Sequence, residues 1–203
     1  MPPRVAIFDR DGTIIDVVRD EETGAISVAF HPDHLRILDG AIEGMRAMQG
    51  AGYLLAIATN QPGPAKGQFS AAAVLRTNAV LVEKLTAAGL RITTLRACMH
   101  HPKGGPGGDA SLVRACDCRK PKAGLLEDIL RDTGAERASS WMIGDARSDL
   151  DAARAARIQA ALVFASNRCE LCPLREGPPG APDAHGATLA EVAASILAYG
   201  RAS

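Results

Sequence analysis

The chain has 203 residues, its 23 lysines and arginines balance 23 aspartates and glutamates, and 47% of its residues are hydrophobic. This length predicts one domain over residues 1–203, and the zero net charge argues against a nucleic-acid partner. No apolar run approaches the roughly 20 residues of a membrane-spanning helix, and the N-terminus lacks the apolar segment of a signal peptide. We therefore expect a cytoplasmic monomer with no membrane partner.

The first half of the chain alternates apolar runs with helical patterns. Residues 17–30 contain two β-prone runs and predict a small hairpin. Ser70 is a candidate N-cap for a long helix that ends at Gly89. A shorter helix is predicted over 41–51, and buried strands are predicted over 5–8, 53–58 and 92–97.

The second half continues the same alternation. Two stretches rich in proline and glycine, 102–110 and 173–187, are expected to be irregular. Strands alternating with helices predict an α/β, doubly wound, Rossmann-like fold with a mostly parallel sheet. The remaining strands are predicted over 141–143 and 160–165, and the remaining helices over 123–133, 148–156 and 188–199.

Polar residues follow three of the predicted strands at the point where each strand ends. Asp9 follows the first strand, Thr59 the second and Asp145 the fourth. Because ligands of open α/β sheets bind at the carboxyl ends of the strands, these residues are expected to share one cleft.

The chemistry of these residues is that of a phosphate site. Asp9 and Asp11 stand before Gly12; carboxylates and a carbonyl hold Mg²⁺, and an aspartate can accept a phosphoryl group. Thr59 can donate to phosphate, and Arg119-Lys120 supplies cations for phosphoryl oxygens. Taken singly, each segment is also compatible with a solvated turn or an ordinary surface pair.

A second cluster joins cysteines and histidines within a short span. Cys98-x-His100 and Cys116-x-Cys118 offer three thiolates and one imidazole, a set that suits tetrahedral Zn²⁺. The alternatives are free buried cysteines, or His101 as the ligand in place of His100. A zinc ion would supply folding energy to the glycine-rich loop over about 98–118 and would fix the cations that follow Cys118.

Four segments together resemble the motifs of the haloacid dehalogenase superfamily of phosphotransferases. The similarity runs from residue 5 to about 165. The matching segments are Asp9-Arg10-Asp11-Gly12-Thr13, Thr59-Asn60-Gln61, Lys120-Pro121 and Gly144-Asp145-x-x-x-Asp149.

The resemblance implies a role for each matching residue. Asp9 would be the nucleophile that forms an aspartyl-phosphate, and Asp11 the general acid and base. Thr59 and Lys120 would hold the transferring phosphoryl oxygens. Mg²⁺ would bind Asp9, the backbone carbonyl of Asp11, and Asp145. Asp149 would support Lys120 or a metal-bound water.

The zinc-loop pattern before Lys120 resembles that of the capless subfamily of heptose bisphosphate and histidinol-phosphate phosphatases. Neither interval between the first three motifs has room for a substantial cap domain. The resemblance implies that Asn60, Gln61, Arg119 and the 17–20 segment bind a small phosphorylated sugar. It implies a Mg²⁺-dependent phosphomonoester hydrolase with structural Zn²⁺ that acts on D-glycero-D-manno-heptose 1,7-bisphosphate. Histidinol phosphate is the alternative substrate, and a zinc-stabilised non-catalytic binding module is the alternative class.

Overall fold

The computed structural model describes residues 2–19, 22, 24–164 and 181–199. Cys169 and Cys172, cysteines outside the predicted zinc set, lie outside the described residues. The strands are β1 (Arg4–Phe8), β2 (Val18–Arg19), β3 (Ile26–Ser27), β4 (Tyr53–Asn60), β5 (Ile92–Cys98), β6 (Trp141–Gly144), β7 (Gln159–Val163) and β8 (Ala184–Gly186). The α-helices are α1 (Ala41–Gly50), α2 (Gly63–Lys66), α3 (Ala71–Ala87), α4 (Gly124–Thr133), α5 (Arg147–Ala156) and α6 (Leu189–Tyr199).

Six of the described strands form one parallel sheet in the order β5-β4-β1-β6-β7-β8. Both faces of the sheet are covered. Ala6 and Phe8 of β1 pack into a core shared with α1, α3 and α6, whereas Val5 and Ile7 pack into a second core with α4 and α5. Alternate side chains of a strand point to opposite faces, so a strand covered on both faces is apolar throughout. The predicted doubly wound α/β fold is confirmed.

The chain between β1 and β4 contains the predicted hairpin and no separate cap in the described residues. Val18 pairs with Ser27 and Arg19 with Ile26, in an antiparallel ladder of two residues on each side. A 3₁₀ turn over Pro32–His34 and helix α1 occupy the rest of this interval. The hairpin, the 3₁₀ turn and α1 are therefore the elements that the described residues form between β1 and β4.

Two elements differ from the sequence expectation. Residues 173–187 were expected to be irregular; 173–180 lie outside the described residues, but Ala184–Gly186 forms the parallel edge strand β8 beside β7. Helix α2 was not predicted, because Pro62, Gly63 and Pro64 indicate a loop. The other predicted strands and helices are present, with ends shifted by one or two residues, and the Ser70 hydroxyl caps α3 by accepting from the Ala73 N–H at 3.1 Å.

Among the described helices, none is both long enough and apolar enough to span a bilayer.

Candidate active site

Three neighbouring strands bring the predicted polar residues to one edge of the sheet. Strands β4, β1 and β6 lie side by side, and Thr59, Asp9 and Asp145 stand at their carboxyl ends. The Asp9 N–H donates to the Ile143 carbonyl at 2.8 Å, which fixes the first residue after β1. Carboxylate oxygens of Asp9, Asp145 and Asp149 lie within 4.8 Å of one another. The expected common cleft is confirmed.

Lys120 enters this cleft from the loop that follows the Cys/His region. Its Nζ lies 2.7 Å from Asp9 Oδ1, 2.6 Å from Asp149 Oδ1 and 2.7 Å from the Ala58 carbonyl. Asn60 holds the lysine's main chain, since its amide donates to the Lys120 carbonyl at 2.9 Å and accepts from the Lys120 N–H at 3.1 Å. The Asn60 side chain, which was predicted to bind substrate, therefore holds the main chain of Lys120, the predicted catalytic lysine.

The buried charges of the cleft shift one another's protonation. Burial, together with the charges of Asp149 and Asp11, raises the pKa of Asp9 from 3.8 to about 6, although Lys120 opposes the shift. Burial and the charges of Asp9 and Asp149 also raise the pKa of Asp145 well above 3.8. Burial alone would lower the pKa of Lys120, but Asp149 and Asp9 outweigh it and raise that pKa. The cleft holds more negative charge than Lys120 can neutralise.

Glycines allow the carboxylates to approach the backbone. Gly12 has a φ of +87°, and a Cβ there would lie 2.3 Å from Asp145 Oδ2. A Cβ at Gly144 would lie 2.2 Å from Asp149 Oδ2. Asp149 Oδ2 accepts from the Ala146 N–H at 3.1 Å, so this carboxylate caps helix α5 on one side and faces Lys120 on the other.

Asp11 is held by a shell of donors. Arg10 donates from Nε to Oδ2 at 2.9 Å and from an Nη to Oδ1 at 3.1 Å. The Ala29 N–H donates to Oδ1 at 3.0 Å, and Gln61 Nε2 donates to Oδ2 at 2.7 Å. Each carboxylate oxygen thus accepts two hydrogen bonds.

Gln61 links Asp11 to Thr59. Its Nε2 also donates to Thr59 Oγ1 at 2.8 Å, so the threonine hydroxyl keeps its hydrogen for another acceptor. Gln61 is fully buried. It touches two predicted catalytic residues, whereas substrate binding was the role implied by resemblance.

A cavity of about 260 Å³ opens at this edge of the sheet. The predicted catalytic side chains line its floor, and the hairpin contributes one wall. Of the predicted 17–20 segment, Val17 lines the cavity, whereas Asp20 lies outside the described residues; Gln61 and Arg119 are not among the lining residues. The lining comprises Asp9, Asp11, Val17, Ile26, Ser27, Val28, Thr59, Asn60, Lys120, Asp145, Ala146 and Ser148.

The four predicted zinc ligands form a second cluster beside the first. Cys118 Sγ lies 3.0 Å from Cys98 Sγ, 3.4 Å from Cys116 Sγ and 3.2 Å from His100 Nδ1. With Zn–S near 2.3 Å and Zn–N near 2.1 Å, the edges of a tetrahedral site are about 3.5 to 3.8 Å. Two further separations match these edges, 3.6 Å between Cys98 Sγ and Cys116 Sγ and 3.8 Å between Cys98 Sγ and His100 Nδ1, whereas the three from Cys118 are shorter. The four side chains are close enough together to hold one metal ion, and His100 rather than His101 faces the thiols.

The glycines of the intervening loop allow close packing against helix α2. A Cβ at Gly105 would lie 2.6 Å from the Lys66 carbonyl oxygen, and one at Gly108 would lie 2.0 Å from the Ala65 carbonyl oxygen. The Asp109 N–H donates to the Pro64 carbonyl at 3.0 Å. The loop therefore takes part of its shape from backbone contact with α2.

Arg10 and Asn78 belong to the site although sequence reasoning assigned them no function. Arg10 is completely buried, and it donates to Asn78 at 2.5 Å and to the Ala29 carbonyl at 2.6 Å. The sequence did contain a signal for Arg10, because a charged side chain between two candidate catalytic aspartates is expected to need hydrogen-bond partners. Its partner in α3 is 68 residues away and is visible only in the fold.

Comparison with known proteins places this fold and site in a recognised class. Residues 117–192 match a family model described as HAD-hydrolase-like. A crystal structure of D,D-heptose 1,7-bisphosphate phosphatase from B. bronchiseptica, complexed with magnesium and phosphate, superposes with a TM-score of 0.76 at 27% identity. That similarity covers 97% of this chain and 99% of the other.

Curated relatives narrow the class to one family. A D-glycero-β-D-manno-heptose-1,7-bisphosphate 7-phosphatase from Rhodopseudomonas palustris is 37% identical over 158 residues, which is 77% of this chain and 82% of the relative. The protein of the same name from Pasteurella multocida is 32% identical over 155 residues, covering 76% and 78% of the two chains. The chain belongs to this family of haloacid dehalogenase-like phosphatases.

Proposed function

We propose that this protein is a Mg²⁺-dependent phosphomonoester hydrolase that works through an aspartyl-phosphate on Asp9. Its proposed substrate is the 7-phosphate of D-glycero-β-D-manno-heptose 1,7-bisphosphate, named in its relatives. The observation that carries the chemistry is the contact of Lys120 with Asp9, at 2.7 Å, on the floor of the cavity. An anionic nucleophile can approach an anionic phosphate only where cations offset their repulsion.

The charges at the floor of the cavity support a divalent cation. Three carboxylates, those of Asp9, Asp145 and Asp149, face the single ammonium of Lys120. Asp9, Asp145 and the backbone carbonyl of Asp11 are the proposed Mg²⁺ ligands, since hard oxygen donors suit this ion. When bound, Mg²⁺ would offset the excess negative charge and polarise the phosphoryl group.

In the proposed first step, an Asp9 carboxylate oxygen forms a bond to phosphorus as the bond from phosphorus to the sugar oxygen breaks. Lys120 and the Thr59 hydroxyl donate to the phosphoryl oxygens, and Asp11 gives a proton to the leaving oxygen. In the second step Asp11 takes a proton from water, which attacks phosphorus and releases Asp9. Before either proton transfer, one of the four hydrogen bonds that Asp11 now accepts must break, because each of its oxygens already accepts two.

The Cys/His cluster is proposed to hold one structural zinc ion through Cys98, His100, Cys116 and Cys118. The Gln61 N–H donates to the Cys98 carbonyl at 2.7 Å, and Cys118 precedes Arg119 and Lys120. The metal would therefore stabilise both loops that carry catalytic groups. Free thiols in this number fit a reducing compartment, and we propose that the protein acts as a monomer in the cytoplasm.

The activity is tested by phosphate release from heptose 1,7-bisphosphate and from L-histidinol phosphate with Mg²⁺. We expect kcat/KM to favour the bisphosphate by at least about 100-fold, or about 2.7 kcal/mol, and Asp9→Asn to abolish turnover. Asp11→Asn should slow hydrolysis of the phosphoenzyme without weakening Mg²⁺ binding. A folded, zinc-loaded chain that releases phosphate from no ester would favour the non-catalytic module.

A further inference from the structure

Two phenylalanines from distant segments stack beside the residues that hold Asp11. The rings of Phe30 and Phe69 are nearly parallel, with an interplanar angle of 9° and centroids 4.8 Å apart. His34 packs edge-on against Phe30, with ring centroids 4.7 Å apart. Stacked and edge-to-face contacts at these distances are both favourable. The aromatic pair, defined here as Phe30 and Phe69, therefore joins the chain that follows the hairpin to the chain that precedes α3.

One member of the aromatic pair is attached to a donor of Asp11. Phe30 directly follows Ala29, whose N–H donates to Asp11 Oδ1 at 3.0 Å. The Ala29 carbonyl accepts from Arg10 at 2.6 Å, and this carbonyl belongs to the planar peptide unit that leads to Phe30. A displacement of the Phe30 ring would therefore move the main chain that holds both Arg10 and Asp11.

The other member packs on the segment that carries Gln61. The tip of the Phe69 ring lies against Gly63, since a Cβ at Gly63 would be 2.0 Å from Phe69 Cζ. Gly63 stands two residues after Gln61, whose Nε2 donates to Asp11 Oδ2 at 2.7 Å. A side chain at residue 63 would displace the ring. The close packing of Phe69 on this glycine therefore couples the aromatic pair to the second donor of Asp11.

The aromatic pair lies outside the cavity. Among the described residues that line the cavity, Val28 is present, whereas Phe30 and Phe69 are not. Both rings are half-buried. Any influence of the pair on the reaction must therefore pass through the residues attached to it rather than through contact with substrate.

We propose that the aromatic pair positions Asp11 for acid–base catalysis by fixing the separation between Ala29 and Gln61. The assignment rests on the proposed function, in which Asp11 gives a proton to the leaving oxygen. Ala29 donates to one carboxylate oxygen of Asp11 and Gln61 to the other, so a change in the distance between these donors would turn the carboxylate. Phe30 and Phe69 are thus positioning residues that act through Asp11.

The test compares two esters whose leaving groups differ in their need for a proton. The sugar oxygen of heptose 1,7-bisphosphate needs a general acid, whereas p-nitrophenolate leaves p-nitrophenyl phosphate without one. Because each alcohol leaves as the aspartyl-phosphate forms, initial-rate kcat/KM reports this step and excludes the later hydrolysis. We expect Phe30→Leu and Phe69→Leu each to lower kcat/KM for the bisphosphate about 10-fold or more, and for the aryl ester less than about threefold.

Three further variants separate positioning from packing. Gly63→Ala should give the same selective loss by another means, because its Cβ displaces the Phe69 ring. Phe30→Tyr keeps a stacked ring and should recover most of the rate lost in Phe30→Leu. Tyr53→Leu is the matched control: it removes a buried ring at the start of β4, at the opposite edge of the sheet, where the ring packs on Arg4. Any loss it causes should be equal on the two esters.

The outcomes distinguish this assignment from the proposed function. Equal losses on the two esters, no loss or a gain on the bisphosphate, or a selective loss in Tyr53→Leu would overturn the positioning role and leave the hydrolase standing. If a leucine variant does not fold, Gly63→Ala decides by the same criterion. A wild-type chain that hydrolyses neither ester would overturn the proposed function and this assignment together. A loss confined to the bisphosphate, recovered in Phe30→Tyr, supports both.

Discussion

Arg10 binds Asp11 through two hydrogen bonds, at 2.9 and 3.1 Å, from a position with no solvent exposure. The two residues are consecutive, yet the guanidinium reaches further, to Asn78 in α3 and to the carbonyl of Ala29 after the hairpin. The candidate acid–base residue is therefore tied to the long helix and to the wall of the cavity. Its orientation depends on segments that are distant in sequence.

We predict that Arg10→Met lowers the free energy of unfolding by about 3–5 kcal/mol, because it leaves the buried Asp11 carboxylate without its cation. Urea unfolding measures the change. Arg154→Met is the control, since Arg154 forms an exposed ion pair with Asp183 and its loss should cost at most about 1 kcal/mol. Equal losses in the two variants would contradict the structural importance of the buried pair.

Removal of the Gln61 amide is expected to act on kcat rather than on KM. Gln61→Ala deletes the donor shared by Asp11 and Thr59, and misplaced catalytic groups cost up to about 100-fold. Steady-state kinetics on the heptose bisphosphate measure both constants. A rise in KM with kcat unchanged would restore the substrate-binding role implied by the resemblance.

The magnesium-free protein is predicted to lose stability as pH rises from about 4 to about 6. The Asp9 pKa is raised from 3.8 to about 6, so in this window the folded state binds a proton that the unfolded state has released. The free energy of unfolding therefore falls with rising pH, by about 3 kcal/mol from Asp9 alone. Asp145 adds to the fall, since its pKa is also raised.

Two measurements check this pH dependence. The increase in Tm on adding Mg²⁺, measured without chelator so that zinc stays bound, should be larger at pH 7.5 than at pH 5. Asp145→Asn should raise the Tm of the magnesium-free protein at pH 7.5 by about 2–4 °C or more while abolishing activity. Asp151→Asn, at an exposed ion pair with Arg147, should leave Tm nearly unchanged. A lower Tm in Asp145→Asn would show that the burial of Asp145 and the charges of Asp9 and Asp149 do not destabilise the folded protein through this carboxylate.

The zinc assignment predicts one zinc ion per chain and its loss in Cys116→Ser. Because a bound metal contributes folding energy, we expect the variant to have a lower Tm. At temperatures below that Tm, where the variant is folded, we expect its kcat to be reduced. Elemental analysis and thermal unfolding give the two readouts. Cys169→Ser and Cys172→Ser should keep full zinc content; zinc lost from either would assign the metal a different ligand set.

Most of the fold was predictable because its strands are apolar runs that end at glycine or polar residues. Strand β8 was missed because Ala184–Gly186 has no strand pattern of its own; it exists through pairing with β7 and the Phe164 N–H donating to the Gly186 carbonyl at 2.8 Å. Helix α2 was missed because its prolines and glycine favour turns, and it is maintained partly by the loop packed on it.

The site was predictable as a set of residues but not as a set of contacts. Asp9, Thr59 and Asp145 were predictable as neighbours, because the carboxyl ends of parallel strands share one edge. The motif predicts that Asn60 and Gln61 bind substrate; their hydrogen bonds to Lys120, Asp11 and Thr59 were not predictable. Motif spacing identifies which residues come together and carries no information on which atoms face each other.

By itself, the sequence determined the alternation of strands and helices, the strand ends that carry charge, and a Cys/His set that fits zinc. These features depend on local pattern and on residue chemistry. Only the tertiary structure decided that Arg10 and Gln61 hold Asp11, and that Asn60 holds the main chain of Lys120. Such relationships join segments far apart in the chain, and their energies exist only once packing has excluded water and fixed the distances between charges.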